Sequence, residues 1–236
     1  MESKQIFDKV DNWDRKIVLK YNGFGGKTST FFLKFISFFG RETIWLLLMW
    51  YYFFVWYDPL IFSFITTTFI LGLLIIAPVK KLFERARPFE TLKEVKVLER
   101  KPTSRSFPSW HAYNVTSQGL LIGYFLNSLL ITIIIMGFTV LVAFSRIQLG
   151  VHYPSDVIAG YLFGIFGFLL SVGIFAPLLI SLISIIEFII GIEIYYRMIN
   201  IYLFQNVWYF ILCIGVVILI ILFATFKRIK EIFIKS

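Results

Sequence analysis

The sequence contains few charged residues, a single cysteine and only two histidines. Of its 236 residues 16% are charged, and 14 Asp and Glu are outnumbered by 23 Lys and Arg. The lone Cys213 lies within an apolar run, which excludes a disulfide framework and a cysteine-based zinc site. No cluster of carboxylates or histidines has a spacing suited to magnesium or zinc. We therefore expect no metal and no other cofactor.

Two further absences narrow the class of protein. No apolar core or small-residue cleavage site follows the first charges, so we expect no signal peptide. No soluble nucleic-acid-binding module is visible, so nucleic acid is a poor explanation for the net charge of +9. That charge is concentrated in residues 1–41, 80–105 and 227–235, between the apolar segments. Such clusters favour contact with the anionic headgroups of a bilayer, and no obligate protein partner is indicated.

Apolar residues, by contrast, form long runs. The hydrophobic fraction is 58%, the mean hydropathy is +0.81, and Phe contributes 28 residues. The runs are continuous and not alternating, which favours helices over a β-barrel. The sequence thus predicts one domain over residues 1–236, an all-α integral membrane bundle of six or seven transmembrane helices. The predicted spans are 43–56, 59–79, 112–126, 129–144, 156–175, 178–195 and 207–226, separated by breaks such as Asn127-Ser128 and Pro177.

Some of these spans remain open to other interpretations. The first is open to extension back through residues 31–39. The sixth carries Glu187 and Glu193, which also fit a segment lying at the membrane interface. On the fifth, small residues recur on one face, a pattern typical of close helix packing; they are Gly160, Gly164 and Gly167.

The first 26 residues predict an amphipathic helix on the membrane surface. Apolar side chains recur at helical spacing on one face: Ile6, Val10, Trp13, Ile17 and Tyr21. Charged side chains occupy the opposite face: Asp11, Asp14, Arg15 and Lys16. Gly23, Gly25 and Gly26 end the helix. Packing on a partner protein is the alternative use of such a helix.

Three short clusters carry most of the chemistry at the ends of the predicted spans. They are Lys80 to Arg87-Pro88, then Pro108-Ser109-Trp110-His111, and then Ser145-Arg146 with His152 and Asp156. Each has an ordinary structural explanation. Basic residues snorkel at helix ends, Ser109 suits a helix N-cap, and Asp156 suits the first turn of a helix. Together they suit the binding of a phosphate and the cleavage of a bond to it.

The spacing within these clusters makes the chemistry more specific. Lys80 and Arg87 are seven residues apart, which predicts that they share one face of a helix. A helix beginning near Ser109 presents free N–H groups to an anion beside His111. His152 and Asp156 are four residues apart, so the carboxylate can hold one ring nitrogen and leave the other free as a nucleophile.

The pattern K-x6-RP, PS-x-H and SR-x5-H-x3-D over residues 80–156 resembles the type 2 phosphatidic acid phosphatase (PAP2) superfamily. The resemblance implies a metal-independent phosphatase in which His152 attacks phosphorus, Asp156 orients His152, and His111 protonates the leaving oxygen. It implies phosphate binding by Lys80, Arg87, Ser109, Trp110 and Arg146, with support from Ser145. Where the family usually has glycine this chain has Trp110, whose ring is a candidate to shape the pocket entrance.

The resemblance and the position of the clusters imply a lipid phosphate substrate that enters from the bilayer. Residues 89–107, called the basic loop below, carry five cations: Lys93, Lys96, Arg100, Lys101 and Arg105. They suit a multiply anionic headgroup, so lipid A 1-phosphate or phosphatidylglycerophosphate is expected, with undecaprenyl pyrophosphate as the alternative. A transporter or a membrane anchor is the alternative outside enzymes. We expect a multi-pass protein of the bacterial inner (cell) membrane with its site facing the periplasm, although the basic residues near the site oppose the positive-inside tendency.

Overall fold

A computed structural model describes residues 2–191 and 196–234. In these ranges the chain is helical apart from turns, loops and one isolated β-bridge between Trp56 and Ile199. The α-helices are α1 Glu2–Tyr21, α2 Gly26–Ser37, α3 Glu42–Trp50, α4 Pro59–Phe83, α5 Pro88–Thr91, α6 Trp110–Leu126, α7 Leu129–Gln148, α8 Pro154–Leu170, α9 Ala176–Ile190, α10 Tyr202–Gln205 and α11 Val207–Ile234. The predicted all-α class is confirmed.

Four helical stretches are long and apolar enough to cross a membrane. They are Pro59–Thr91, Leu129–Gln148, Pro154–Ile190 and Val207–Thr225. Glu42–Val55 is a shorter apolar helix, because a π-helical turn at Tyr51–Val55 extends α3. Together with α6 these helices cover the predicted spans, although Pro154–Ile190 runs without a break over two of them, 156–175 and most of 178–195. The protein is a multi-pass membrane protein. Residues 192–195, at the end of the predicted span 178–195, and the last two residues of the basic C-terminus lie outside the described residues.

Two predicted boundaries need correction. The first span does not extend back through residues 31–39, because α2 ends at Ser37, a 3₁₀ turn follows at Phe38–Gly40, and Arg41 is extended. Pro177 does not begin a new segment after a loop. A π-helical turn at Ser171–Phe175 leads directly into α9, and Pro177 is the second residue of α9.

The chain forms two compact units. The first consists of Met1–Arg41 and Thr68–Leu170, and the second of Glu42–Thr67 and Ser171–Ser236. In the second unit the indole Nε1 of Trp50 donates to the Cys213 carbonyl at 3.1 Å, and the Tyr209 hydroxyl donates to the Phe54 carbonyl at 2.8 Å. All three predicted clusters belong to the first unit. A single domain over residues 1–236 remains a prediction.

Helices α6 and α8 pack closely in the first unit because α8 presents glycine to α6. A Cβ atom on Gly164 would lie 2.8 Å from the Thr116 Cβ and 2.9 Å from the Tyr113 carbonyl oxygen. Gly160 meets the Ser109 carbonyl oxygen, and Gly167 meets the Tyr113 hydroxyl. The predicted packing role of this stripe is confirmed, and it brings the start of α6 beside the start of α8.

Helix α1 has two different faces. Val18 is fully buried in a core with Ala112, Ala143 and Val157, and Tyr21 packs against the same core. Three of the predicted apolar residues are instead exposed, namely Ile6, Val10 and Trp13, as a membrane-surface helix requires. The charged face of α1 is not exposed along its whole length. Asp14 is fully buried against the protein.

Candidate active site

The site lies where the ends of four elements meet. It combines the end of α4 and the loop before α5, the start of α6, the end of α7, and the start of α8. The backbone N–H of Ser109 donates to the Asp156 carbonyl at 2.9 Å and so ties the second cluster directly to the third. The Ser106 hydroxyl donates to the Asp156 carboxylate and ties the basic loop to the same residue.

His152 is held from both sides of its ring. Its Nδ1 lies 3.4 Å from Oδ2 of Asp156, and its Nε2 lies 3.2 Å from Nη1 of Arg87. A guanidinium can only donate, so Nε2 is the acceptor and the proton belongs on Nδ1, facing the carboxylate. His152 and Asp156 therefore have the geometry that their four-residue spacing predicts. The carboxylate faces Nδ1, and the lone pair of the ring is on Nε2.

The surroundings of His152 keep its ring neutral. His152 is buried in the loop between α7 and α8. Burial lowers its pKa well below the ordinary value of 6.5, and the positive charges of Arg87, Lys80 and Arg146 lower the pKa further. A neutral imidazole is the form that can act as a nucleophile, and burial with these positive charges keeps the His152 ring in that form.

Lys80 and Arg87 converge on the site, but they do not share a helical face as predicted. Helix α4 ends at Phe83, and Arg87 is extended because the following Pro88 disfavours helical geometry before it. The two side chains meet at the end of the basic loop. Lys80 Nζ donates to the Arg105 carbonyl at 2.6 Å, and Arg87 Nη2 donates to the same carbonyl at 3.3 Å.

Arg146 is oriented by an ion pair. Its Nη1 and Nη2 lie 3.0 and 2.5 Å from the two carboxylate oxygens of Glu99, and Nη1 also donates to the Ser37 hydroxyl at 2.6 Å. Its Nε is buried and has no hydrogen-bond partner among the described residues. A buried donor of this kind is satisfied by an anion that enters the site, such as a phosphoryl oxygen.

The second cluster begins α6. The Ser109 hydroxyl accepts from the Ala112 N–H at 3.4 Å, as an N-cap does, and Ser109 is fully buried. His111 lies beside Gly40, near enough to Arg87 and Arg146 for their positive charges to act on it. The Trp110 ring stacks on Tyr113 at 5.8 Å and meets Phe69 edge-on at 5.5 Å. The Trp110 ring therefore packs against aromatic side chains, and its backbone N–H lies in the first turn of α6.

Other predicted and unpredicted residues complete the site. Ser145 donates to the Val142 carbonyl of its own helix at 2.6 Å, so its hydroxyl serves the backbone. Within residues 2–191 and 196–234, no group of three or more His, Cys, Asp or Glu is placed to hold a metal ion. The sequence does not single out Glu99, Ser106, Arg85 or Asp14 as functional. Arg85 lies within the first cluster but outside its K-x6-RP pattern, and Asp14, Glu99 and Ser106 lie outside all three clusters, so only the tertiary fold shows their contacts with the site.

The sequence profile of the PAP2 superfamily matches residues 56–179, more than half of the chain. The chain belongs to the PAP2 superfamily. Among characterised PAP2 relatives, the undecaprenyl-diphosphatase of Sulfolobus acidocaldarius is 33% identical over 146 residues, which is 59% of this chain and 68% of that protein. The family predicted from the three clusters is thereby confirmed.

Two proteins of known structure have the same fold. The phosphatidylglycerolphosphate phosphatase of Bacillus subtilis superposes with a TM-score of 0.59 and 26% identity over 70% of this chain and 85% of that one. LpxE of Aquifex aeolicus superposes with a TM-score of 0.61 and 22% identity over 68% of this chain and 95% of that one. The second similarity is one of fold alone. The Bacillus subtilis protein is a transmembrane PAP2-type lipid phosphatase, which is the kind of protein that the sequence predicts.

Proposed function

We propose that this PAP2 protein removes a phosphate from an anionic membrane lipid through a phosphohistidine on His152. The observation that carries the proposal is the arrangement around that ring. Nδ1 faces Asp156, Nε2 faces Arg87, and burial with three cations keeps the imidazole neutral. A neutral nucleophile surrounded by fixed cations matches the needs of phosphoryl transfer, in which charge develops on the phosphoryl oxygens.

The reaction proceeds in two displacements at phosphorus. In the first, Nε2 of His152 forms the N–P bond, the bond to the lipid oxygen breaks, and His111 gives that oxygen a proton. In the second, His111 takes a proton from water, the water oxygen attacks phosphorus, and the N–P bond breaks to release inorganic phosphate. Asp156 holds the Nδ1 proton throughout and stabilises the charge on the ring.

Phosphate binding is assigned to groups that converge on this ring. Lys80, Arg87 and the Nε of Arg146 supply positive donors, and the first turn of α6 after Ser109 supplies backbone N–H groups, that of Trp110 among them. We propose that no divalent metal takes part, because these donors already meet the phosphoryl oxygens. Full turnover after chelation supports this, and turnover that returns only with added metal refutes it.

The proposed substrate is a lipid with a crowded anionic headgroup, either lipid A 1-phosphate or phosphatidylglycerophosphate. The basic loop supports this choice, because its five cations are exposed beside the site. One observation favours a second candidate, undecaprenyl diphosphate, since the Sulfolobus acidocaldarius relative is an undecaprenyl-diphosphatase. For a bacterial cell, the proposed location is the inner membrane with the site facing the periplasm.

A substrate panel on the purified full-length protein tests the function. We expect phosphate release from at least one of the three lipids in chelator, inhibition by vanadate, and no release by His152→Ala. Asp156→Asn should lose much of the rate, and His111→Ala should be severely impaired unless the leaving group needs no proton. Wild-type protein that releases no phosphate from any of these lipids or from a soluble phosphate ester would favour a transporter or an anchor.

A further inference from the structure

The surface helix α1 contributes a carboxylate to the neighbourhood of the site. Asp14 is fully buried, although it lies on a helix whose other side is exposed. Its Oδ1 accepts the backbone N–H of Ser155 at 2.9 Å, and its Oδ2 accepts the Ser155 hydroxyl. Asp14 thus caps the first turn of α8 from another helix, and Asp156 lies in that same turn.

Arg85 joins this carboxylate to Asp156. Its Nη2 lies 2.7 Å from Oδ2 of Asp14, and its Nη1 lies 2.8 Å from Oδ1 of Asp156 and 2.6 Å from the Ser155 hydroxyl. The guanidinium carbon is 4.2 Å from the centre of the Tyr153 ring, which fixes the plane of the fork. Arg85 makes these contacts to one side of Asp156, whereas His152 faces the other oxygen.

A cation such as Arg85 is needed here because the two carboxylates that it joins are buried. Asp14 and Asp156 are both fully buried, and a buried carboxylate is stable only when paired and hydrogen-bonded. A guanidinium has donors on both Nη atoms and reaches two carboxylates at once in a fixed geometry. A lysine ammonium in the same place is a single point of charge.

We propose that Arg85 and Asp14 are positioning residues for the reaction. Asp14 holds Arg85, Arg85 fixes the carboxylate of Asp156, and Asp156 orients His152. This inference rests on the function proposed above, since it assigns these two residues to the same nucleophile. It also makes the helix at the membrane surface part of the catalytic machinery through one chain of hydrogen bonds.

The test uses purified full-length variants and a soluble phosphate ester, so that lipid binding does not enter. Arg85→Gln should lower kcat on the order of 10- to 100-fold, as loss of an orienting partner does, with KM changed by less than about twofold. Arg85→Lys should recover part of kcat, and Asp14→Asn should lower kcat less than Arg85→Gln. Lys16→Gln, which removes an exposed cation from the same helix, is the control and should match wild type.

A double-mutant cycle separates positioning from general structural damage. In an Asp156→Asn background, Arg85→Gln should cost little further kcat, because its effect passes through that carboxylate. An equal loss in both backgrounds would overturn the proposal, as would near-wild-type kcat for Arg85→Gln. If Arg85→Gln does not fold, the same cycle is measured with Arg85→Lys and with Asp14→Asn, and the loss of kcat in the two backgrounds is compared in the same way. Wild-type protein without phosphatase activity would instead refute the proposed function itself.

Discussion

At the scale of single residues, Arg146 shows how a side chain is prepared for an anion. Glu99 and Ser37 occupy its two Nη atoms, and the buried Nε has no partner among the described residues. The ion pair therefore does not exhaust the donors of the guanidinium. It fixes the direction in which the Nε–H points.

Arg146→Lys should weaken the binding of vanadate, which resembles the five-coordinate phosphorus of the reaction. Lysine retains the charge but cannot pair with Glu99 and still present an Nε donor. Losing one hydrogen bond to a charged group costs about 1.5–3 kcal/mol, or roughly 10- to 100-fold in the inhibition constant. Arg15→Lys, at an exposed site, is the control. An unchanged inhibition constant for Arg146→Lys would remove Arg146 from the phosphate site.

The protonation of His152 is directly measurable because the chain has two histidines. Burial and the charges of Arg87, Lys80 and Arg146 lower the pKa of His152, so its ring should stay neutral as the pH falls through 6.5. In histidine-labelled protein, the His152 NMR signal should not titrate between pH 8 and 6.5. The variant His111→Gln assigns it by leaving one signal. A His152 pKa at or above 6.5 would contradict the proposed electrostatics.

Residues of the site were predictable from the sequence where their spacing is characteristic. His152 and Asp156 are four residues apart, and the structure places the ring beside the carboxylate as that spacing predicts. Glu99, Arg85 and Asp14 were not predictable. Asp14 fits the polar face of an amphipathic helix, and only the packing of α1 against the start of α8 shows that this part of the face is buried.

At the scale of elements, the basic loop has two separate roles. Its backbone carbonyls at Ser104, Arg105 and Ser106 accept hydrogen bonds from Lys80 and Arg87, so its course fixes two cations of the site. Its cationic side chains are exposed. The backbone thus belongs to the scaffold, and the cationic side chains lie on the surface, where we propose that they meet a headgroup.

Replacing Lys93, Lys96 and Lys101 together by Gln should raise KM for a multiply charged lipid and leave a soluble phosphate ester nearly unchanged. A surface contact made equally in ground and transition states changes affinity more than turnover. The increase in KM should become smaller as the salt concentration rises, because exposed charges are screened beyond about 8–10 Å at physiological ionic strength.

The matched control for the loop variant replaces three exposed lysines elsewhere, Lys9, Lys16 and Lys27, and so makes the same change in net charge. If both triple variants raise KM alike for all lipids, the loop only rests on anionic lipid. Loss of turnover on the soluble ester by the loop variant would show that its side chains belong to the scaffold.

The glycine stripe of α8 gives a second prediction for an element. Gly164→Ala should destabilise the protein by about 1–3 kcal/mol, because its Cβ would lie 2.8 Å from the Thr116 Cβ and 2.9 Å from a backbone oxygen. Gly137→Ala is the matched control, since a Cβ there meets nothing within 4 Å. Thermal unfolding in detergent measures both. Equal unfolding temperatures for the two variants would contradict the close packing of α6 and α8.

Element boundaries were predictable where one residue type decides them. Asn127 adopts a left-handed conformation and Ser128 caps α7, so the break between α6 and α7 lies where the sequence predicts it. The end of α4 was not predicted. The separation of seven residues predicted that Lys80 and Arg87 share one helical face. Arg87 is not helical, however, because Pro88 disfavours helical geometry at the residue before it.

At the scale of the whole molecule, the composition was enough to predict an all-α membrane protein. The three clusters were enough to predict the PAP2 superfamily. The division into two units was not predictable, because it depends on contacts between segments far apart in sequence. The residues of the site all belong to the first unit. The comparisons agree on the fold and the family, whereas the relatives differ in the lipids named for them.

The central claim is that His152 carries the phosphoryl group during turnover, and trapping the phosphoenzyme tests it most directly. Protein quenched during turnover of a ³²P-labelled lipid should carry label that is stable in base and lost in acid, as a phosphohistidine is. We expect that label in wild type and its absence in His152→Ala. Label retained by His152→Ala, or wild-type turnover by that variant, would contradict the account.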